Sequence, residues 1–142
     1  MIKNLRTIFK NLDFCKKDIT AFKPDVLILI DYPGFNLRIA EWAKNEGIKV
    51  VYYISPQVWA WKESRVKNIK RDVDKMLVIL PFEKAFYKKW NYEVEYVGHP
   101  LVEVIDAFQQ NNVNKSSSKT IALLPGSRQQ EILKKLPVML EV

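Results

Sequence analysis

The chain has 142 residues, of which 48% are hydrophobic and 27% charged, and its formal net charge is +7. This size and composition are typical of an ordinary globular domain and exclude a disordered chain. The longest wholly apolar runs, 26–30 and 50–54, have the length of strands and are too short to span a membrane. One cysteine, Cys15, and one histidine, His99, exclude an internal disulfide and a histidine cluster, so we expect no metal site.

The positive charge favours an anionic partner, which could be nucleic acid, an acidic membrane surface or a phosphate-bearing substrate. A basic, soluble surface without such a partner is the alternative. The charge is concentrated in residues 61–71, "WKESRVKNIKR", where five cations face only Glu63. No aromatic-rich nucleic-acid motif is present, so nucleic-acid binding would depend on charge alone and is not expected.

The pattern of apolar residues predicts helices that alternate with strands. Proline at position 24 ends the first helix, and Gly47 is well placed to end the second. The run "VLILI" predicts a strand that is buried on both faces. In chain order we predict a helix over 1–22, a strand over 25–30, a helix over 35–46, a strand over 48–54, a helix over 58–71, a strand over 75–80, a helix over 82–90, a strand over 94–97, a helix over 101–108, a strand over 120–124 and a helix over 129–140.

This alternation indicates β-α-β units and therefore an α/β fold: a Rossmann-like parallel sheet with helices on both faces. Residues 109–119, "QQNNVNKSSSK", are polar and low in complexity, which predicts a linker. We therefore expect one domain over 1–108 and the first strand and helix of a second, truncated domain over 120–142.

Polar and turn-forming residues follow the predicted strands, and ligands of open parallel sheets bind beyond the carboxyl ends of the strands. This pattern predicts a site assembled from loops. The segments in question are Asp31-Tyr32-Pro33-Gly34, Ser55-Pro56-Gln57, Pro81, Gly98-His99-Pro100 and Pro125-Gly126-Ser127-Arg128.

Asp31 is the first candidate for catalysis. A carboxylate at the end of an apolar strand is expected to be partly desolvated, which tends to raise its pKa and suits a general base. The alternative is a turn aspartate that accepts from amide N–H groups within 33–35, where Pro33 itself has none. His99 likewise has two interpretations, as a catalyst or as a hydrogen-bonded turn residue.

The segment "PGSR" lies between a predicted strand and a predicted helix. Gly126 would allow close approach of a ligand, the helix start offers free amides to an anion, and Arg128 can bind phosphate with two hydrogen bonds. A plain turn is the alternative, and the lysine of a P-loop is missing. Trp59 and Trp61, beside the basic run, either pack in the core or form an amphipathic wall for lipid or sugar.

Five segments together resemble the lipid-A-disaccharide synthase family of inverting glycosyltransferases, which have the two-domain GT-B fold. They occur in the family's order over about residues 23 to 132, and they read "KPDVLILIDYPGFN", "GIKVVYYISPQVWAWKESRVKNIK", "DKMLVILPFEKAFY", "VEYVGHPL" and "IALLPGSRQQEI". The resemblance implies most of an amino-terminal GT-B domain, without its first strands, followed by the start of the nucleotide-sugar domain. It also implies transfer from UDP-2,3-diacylglucosamine to 2,3-diacylglucosamine 1-phosphate with release of UDP.

The resemblance also assigns residues. Asp31 matches the family's proposed general base, and Gly126, Ser127 and Arg128 match its nucleotide-diphosphate loop. Further candidates for the substrate cleft are Asn36, Ser55, Gln57, Trp59 and His99. No metal or other cofactor is implied. The implied location is the cytoplasmic face of the bacterial inner membrane, where the protein would bind peripherally to anionic lipid; the oligomeric state stays open.

The sequence departs from the family pattern in three places. Gly34 stands where many members carry a second aspartate, and the "GEASGD" and "SGTA"-like motifs are absent. We therefore expect a fragment that is inactive alone. Two alternatives stay open: another GT-B transferase or UDP-sugar epimerase, and a non-catalytic domain that docks on an acidic membrane or on a partner.

Overall fold

The computed structural model describes residues 5–111, 119 and 121–141. The helices are α1 (Leu5–Phe22), α2 (Pro33–Asn45), α3 (Val58–Trp61), α4 (Val66–Asp72), α5 (Pro81–Lys88), α6 (Pro100–Asn111) and α7 (Gln129–Leu140). The strands are β1 (Val26–Ile30), β2 (Lys49–Tyr53), β3 (Lys75–Val78) and β4 (Glu95–Tyr96). The chain divides into two compact units, one up to Ala107 and one from Phe108.

The first unit is built on a four-stranded sheet in the order β1-β2-β3-β4, and every neighbouring pair is parallel. Leu29 lies opposite Tyr52, and Tyr52 lies opposite Met76. The predicted α/β, Rossmann-like parallel sheet with helices around it is confirmed. Because the strands are parallel and adjacent, their carboxyl ends meet at one edge of the sheet, which we call the carboxyl edge.

The core lies on one face of this sheet. Buried side chains from three strands pack with the apolar stripes of α2, α4 and α5. The core members from these elements are Leu29, Ile39, Ala40, Ala43, Val50, Tyr52, Val66, Ile69, Met76, Val78 and Tyr87. Burying apolar surface of this kind is the main stabilising contribution to the fold.

Strand β1 differs from the prediction. Val26, Ile28 and Ile30 are exposed, with Ile28 62% accessible, so the expectation that β1 is buried on both faces is wrong. Successive side chains of a strand point to opposite faces, and the core that contains the buried residues of α2 includes Leu29, whereas Ile28 and Ile30 are exposed. An unbroken apolar run does not reveal this difference between the faces.

The helix predicted over 58–71 is broken into pieces. Helix α3 ends at Trp61, Lys62 has φ −148° and ψ 57°, and a 3₁₀ turn over Glu63–Arg65 precedes α4. Helix α2 begins two residues before the predicted start, at Pro33, because the fixed φ of proline suits the first turn of a helix. Helix α6 runs to Asn111 and so enters the predicted linker.

In the second unit, α7 has the predicted bounds. The strand predicted over 120–124 is wrong for 121–124, which are in no strand, and residue 120 lies outside the described residues. A strand requires a hydrogen-bonded neighbour, and 121–124 have none within the described ranges. The predicted linker residues 112–118 also lie outside the described residues, and the domain boundary stays a prediction.

Candidate functional site

Asp31, Ser55 and His99 follow three strands of the sheet at its carboxyl edge. The backbone pairing continues just past the strand ends, which fixes the start of each loop. The Asp31 amide donates to the Tyr53 carbonyl (2.9 Å). The Ile54 amide donates to the Leu77 carbonyl (3.1 Å), and the Val97 amide donates to the Val78 carbonyl (3.0 Å). The structure therefore brings these three predicted residues to one edge, as the sequence indicated.

The turn after β1 has an unusual backbone. Asp31 and Tyr32 have φ of 45° and 46°, and Ile54, after β2, has φ of 64°. This left-handed region costs a residue with a side chain about 1–2 kcal/mol. Such conformations persist only where surrounding contacts hold them, and they are concentrated at functional sites. Here three of them lie along one sheet edge.

Two side chains hold the carbonyl of Asp31. The Asn36 Nδ2 donates to the carbonyl oxygens of Ile30 (3.0 Å) and Asp31 (2.7 Å). The Tyr52 hydroxyl donates to the same Asp31 oxygen at 2.6 Å. Asn36, a candidate for the substrate cleft, thus has a structural contact, and its contact with substrate stays a prediction.

The carboxylate of Asp31 is exposed, so the expected partial desolvation is wrong. Leu29, on one face of β1, is buried, whereas Ile30, the neighbour of Asp31, is exposed to solvent. The carboxylate oxygens accept no hydrogen bond and form no ion pair within the part of the chain that the structure describes. The carboxylate therefore has its full hydrogen-bonding capacity for a ligand.

Tyr52 contacts the turn that carries Asp31, and the sequence does not single it out as a candidate. Its ring is fully buried in the core, and burial, followed by the nearby Asp31 charge, raises the pKa of Tyr52. The hydroxyl therefore keeps its proton and remains a donor at neutral pH. The sequence contained a signal for this contact, because a buried tyrosine hydroxyl needs a hydrogen-bond partner and the predicted strand 48–54 contains two tyrosines next to its last residue.

Ser55 is buried, and its hydroxyl is engaged inside the protein. The Tyr87 hydroxyl and Ser55 Oγ are 2.6 Å apart, and Ser55 Oγ donates to the Pro56 carbonyl at 3.1 Å. Burial raises the pKa of Tyr87 to about 12, so this hydroxyl also stays protonated. The structure gives Ser55 a role in joining β2 to α5, and its contact with substrate stays a prediction.

Gln57 lies just before the short helix α3, and Trp59 lies in it. Gln57 is exposed and makes no capping bond from its side chain. Trp59 packs edge-on against Phe82, with ring centroids 5.0 Å apart and planes at 86°. Its buried indole N–H has no partner among the described residues. Gln57 is therefore open to a ligand, and Trp59 is mainly a packing residue.

His99 forms a hydrogen-bonded turn at the start of α6. Its Nδ1 accepts a bond from the Leu101 amide at 3.2 Å, and the preceding Gly98 has φ of 84°, which favours glycine. When Nδ1 of a neutral imidazole accepts, Nε2 carries the proton. The half-exposed His99 therefore presents an N–H donor from the carboxyl edge.

The segment 125–128 lies in the second unit, directly before α7. Gly126 has φ of 116°, and a Cβ there would lie 2.4 Å from the Glu131 carboxylate, so glycine suits this position. The Arg128 side chain is 84% exposed, and its Nη1 is 3.7 Å from Glu131 Oε1, a long ion pair. The predicted arrangement of a glycine turn and an arginine at the start of a helix is present.

The first unit also carries aromatic rings and cations at its surface. Trp61 is 65% exposed, and the cations of Lys62 and Arg65 lie 5.4 and 5.3 Å from its ring centroid. On α1, Phe14 and Phe22 are exposed. None of the described helices has both the length and the apolar character to cross a membrane. Across 5–111 and 121–141, no group of three or more acidic, histidine or cysteine side chains could hold a metal ion.

Comparison with known proteins gives a consistent result. The family model for lipid-A-disaccharide synthetase matches residues 1–142. The lipid-A-disaccharide synthase of Syntrophus aciditrophicus is 47% identical over 96% of the chain, and a Legionella pneumophila lipid-A-disaccharide synthase 1 is 46% identical over 97%. The corresponding protein of Trichlorobacter lovleyi is 48% identical over 89% of the chain.

The matched region is one part of these relatives. The chain spans 37% of the length of the Syntrophus and Legionella proteins and 34% of the Trichlorobacter protein.

Proposed function

The chain belongs to the lipid-A-disaccharide synthetase family, and from this membership we propose that it contributes to an inverting hexosyltransferase of lipid A biosynthesis. The donor is UDP-2,3-diacylglucosamine, the acceptor is 2,3-diacylglucosamine 1-phosphate, and UDP is released. One observation carries the assignment of chemistry: Asp31 presents an exposed carboxylate, without a bonding partner among the described residues, at the carboxyl edge of a parallel sheet. Ligands of open α/β sheets bind at this edge.

In the proposed reaction, Asp31 acts as the general base. Its carboxylate accepts the proton of the acceptor 6-hydroxyl while that oxygen attacks the anomeric carbon of the donor. The bond from this carbon to the diphosphate breaks on the opposite side, and its electron pair leaves with UDP. A single displacement of this kind inverts the anomeric configuration. General-base assistance by a placed carboxylate contributes about 10²- to 10⁴-fold in rate.

Residues 126–128 are proposed to bind the diphosphate of the donor. Arg128 has an exposed guanidinium and, among the described residues, only a long ion pair, so it is available to an anion. It precedes the 12-residue helix α7, whose first amides and positive dipole end favour negative charge. These groups stabilise charge on the departing UDP without a metal or another cofactor.

Two further polar groups at the carboxyl edge are proposed to contact sugar. Gln57 offers an exposed amide, and His99 offers its Nε2–H. Trp59 can supply an apolar wall beside them. These contacts would orient the acceptor, and orientation by hydrogen bonds is a large part of catalysis in bimolecular reactions.

We also propose peripheral binding to anionic phospholipid on the cytoplasmic face of the bacterial inner membrane. The surface formed by Trp61, Lys62 and Arg65 supports this, because an exposed indole between two cations suits the boundary of an acidic bilayer. Exposed phenylalanines on α1 and the net charge of +7 also favour binding to an anionic membrane.

The base assignment can be tested in a chimera, because the chain covers 37% of the Syntrophus relative. In the chimera, this chain replaces the segment that it matches. We expect Asp31→Asn to reduce turnover at least about 100-fold, since the amide cannot accept the proton. The matched control is Asp25→Asn, an exposed aspartate directly before the same strand. Formation of disaccharide and UDP is measured.

Each outcome decides the assignment. Full turnover in Asp31→Asn would rule out Asp31 as the base and favour a domain that only binds. A folded chimera that makes no disaccharide would overturn the proposed activity for this chain.

Membrane binding is tested by sedimentation of the chain with vesicles. We expect binding to phosphatidylcholine vesicles that contain phosphatidylglycerol, little binding to phosphatidylcholine alone, and weakening with salt. Trp61→Ala should lower the partition coefficient several-fold, by about 1 kcal/mol in free energy. Equal binding to neutral and anionic vesicles would contradict the electrostatic part of the proposal.

A further inference from the structure

We infer that Tyr52 and Asn36 are positioning residues that fix the direction in which Asp31 presents its carboxylate. Both donate to the main-chain carbonyl of Asp31, and neither contacts its carboxylate. The inference rests on the proposed function, because it concerns how the proposed base is held. It assigns to a core tyrosine a role in turnover that its burial does not suggest.

The turn needs such support because its backbone is unfavourable. Asp31 and Tyr32 are consecutive non-glycine residues in the left-handed region. At about 1–2 kcal/mol for each residue, an unsupported turn would favour other conformations, in which the carboxylate points elsewhere. The hydrogen bonds to the Asp31 carbonyl exist only in the observed conformation and therefore stabilise it selectively.

Asn36 lies in the first turn of α2 and bonds the carbonyls of the turn that precedes this helix. Its amide N–H donates to the Tyr32 carbonyl at 3.0 Å, and its side-chain amide bonds the carbonyls of Ile30 and Asp31. The last residue of β1, the turn and the first turn of α2 are thereby tied to one side chain. Rotation of the Asp31–Tyr32 peptide would break at least one of these bonds.

Tyr52 anchors the same carbonyl to the core. Its side chain is fully buried and its hydroxyl is 2.6 Å from the Asp31 oxygen, so the donor cannot follow a movement of the turn. The raised pKa of Tyr52 keeps the proton on this donor. The carbonyl is held toward the core while the carboxylate stays exposed.

The test compares Tyr52→Phe with Tyr92→Phe. Both tyrosines are buried and both hydroxyls donate to a main-chain carbonyl, but Tyr92 bonds Val73, at the opposite edge of the sheet, at 3.0 Å. Hydrogen exchange is measured on the 142-residue chain. We expect Tyr52→Phe to speed exchange of the Asp31 amide at least about tenfold through local opening, with β3 amides unchanged. Tyr92→Phe should leave the Asp31 amide unchanged.

Turnover is then measured in the chimera. Tyr52→Phe should lower kcat about 10- to 100-fold with KM within about twofold, because a misplaced base slows chemistry and not binding. Asn36→Ala should also lower kcat and leave KM nearly unchanged. If Asp31→Asn abolishes turnover while Tyr52→Phe keeps it, the positioning role is wrong and the base stands. If Asp31→Asn keeps turnover, the base assignment of the proposed function fails, and if the folded chimera makes no disaccharide, the proposed activity itself fails.

Discussion

Two aspartates lie at opposite edges of the four-stranded sheet: Asp31 follows β1, and Asp74 precedes β3. The carboxylate of Asp74 is fully engaged, since one oxygen accepts from the Val50 amide at 2.9 Å and the other bonds Lys44 Nζ. The Asp74 amide also donates to the Val50 carbonyl at 2.9 Å. At Asp31 the bonds go to the main chain, and the side chain has none within the described residues.

The two aspartates differ in the part of the residue that is bonded. At the amino edge the side chain joins α2, β2 and the start of β3, and it is part of the fold. At the carboxyl edge the main-chain carbonyl of Asp31 is bonded, its backbone has an unfavourable conformation, and its carboxylate has no partner among the described residues. A carboxylate that stabilises the fold is already bonded, whereas a reactive one needs an open hydrogen-bonding position.

The largest effect on stability that this comparison predicts is for Asp74→Ala. The variant leaves the Val50 amide without its acceptor and removes the ion pair with Lys44, whose side chain is 41% exposed. We expect a loss of about 1–2 kcal/mol, mostly from the amide, because exposed ion pairs contribute little. Urea unfolding measures it, and Asp31→Asn, which keeps the left-handed preference of the residue, is the control that should change stability by less than about 0.5 kcal/mol.

The same variant has a defined pH dependence. The Lys44 hydrogen bond and the Val50 amide lower the pKa of Asp74 below its usual 3.8. A lowered pKa in the folded state stabilises the protein above the unfolded pKa, and this stabilisation is lost as the pH falls through the folded pKa. The wild-type advantage over Asp74→Ala should therefore be constant near neutral pH and shrink below about pH 4. An advantage that grows in acid would contradict the structural role of Asp74.

The sequence predicted the strands and helices of the first unit well, except that the helix predicted over 58–71 is broken into α3, a 3₁₀ turn and α4. It also placed Asp31 and His99 at one edge, since parallel strands align their carboxyl ends. Local pattern failed where the outcome depends on distant residues. The run "VLILI" does not show that Ile28 is exposed, and 121–124 have strand-like composition without a pairing strand among the described residues.

The surroundings of Asp31 were also beyond the sequence. The carbonyl of Asp31 accepts hydrogen bonds from Asn36 and Tyr52, which lie 5 and 21 residues further along the chain. The break at Lys62 lies inside a predicted helix, and no proline or glycine within 58–71 indicates it in the sequence. The bond from Tyr52 joins two elements that are distant in the sequence, and a periodic pattern in one segment cannot encode such a contact.

The smallest effect concerns Tyr32, the second left-handed residue of the turn, and it tests whether the strain at the carboxyl edge is real. Tyr32 is exposed, and its ring stacks on Phe35 with centroids 6.1 Å apart. Tyr32→Gly and Tyr32→Ala lose the same stacking, but only alanine keeps the left-handed penalty. We expect the glycine variant to be more stable than the alanine variant by about 0.5–1 kcal/mol in urea unfolding.

The opposite order is normal inside a helix, where alanine is favoured over glycine by about 1 kcal/mol. The chain offers a control for this at Ala40, a buried alanine in the middle of α2. Ala40→Gly should destabilise the protein, so glycine would stabilise relative to alanine at position 32 and destabilise at position 40. If alanine is preferred at both positions, the turn is not strained, and Asp31 needs no support from Tyr52 and Asn36.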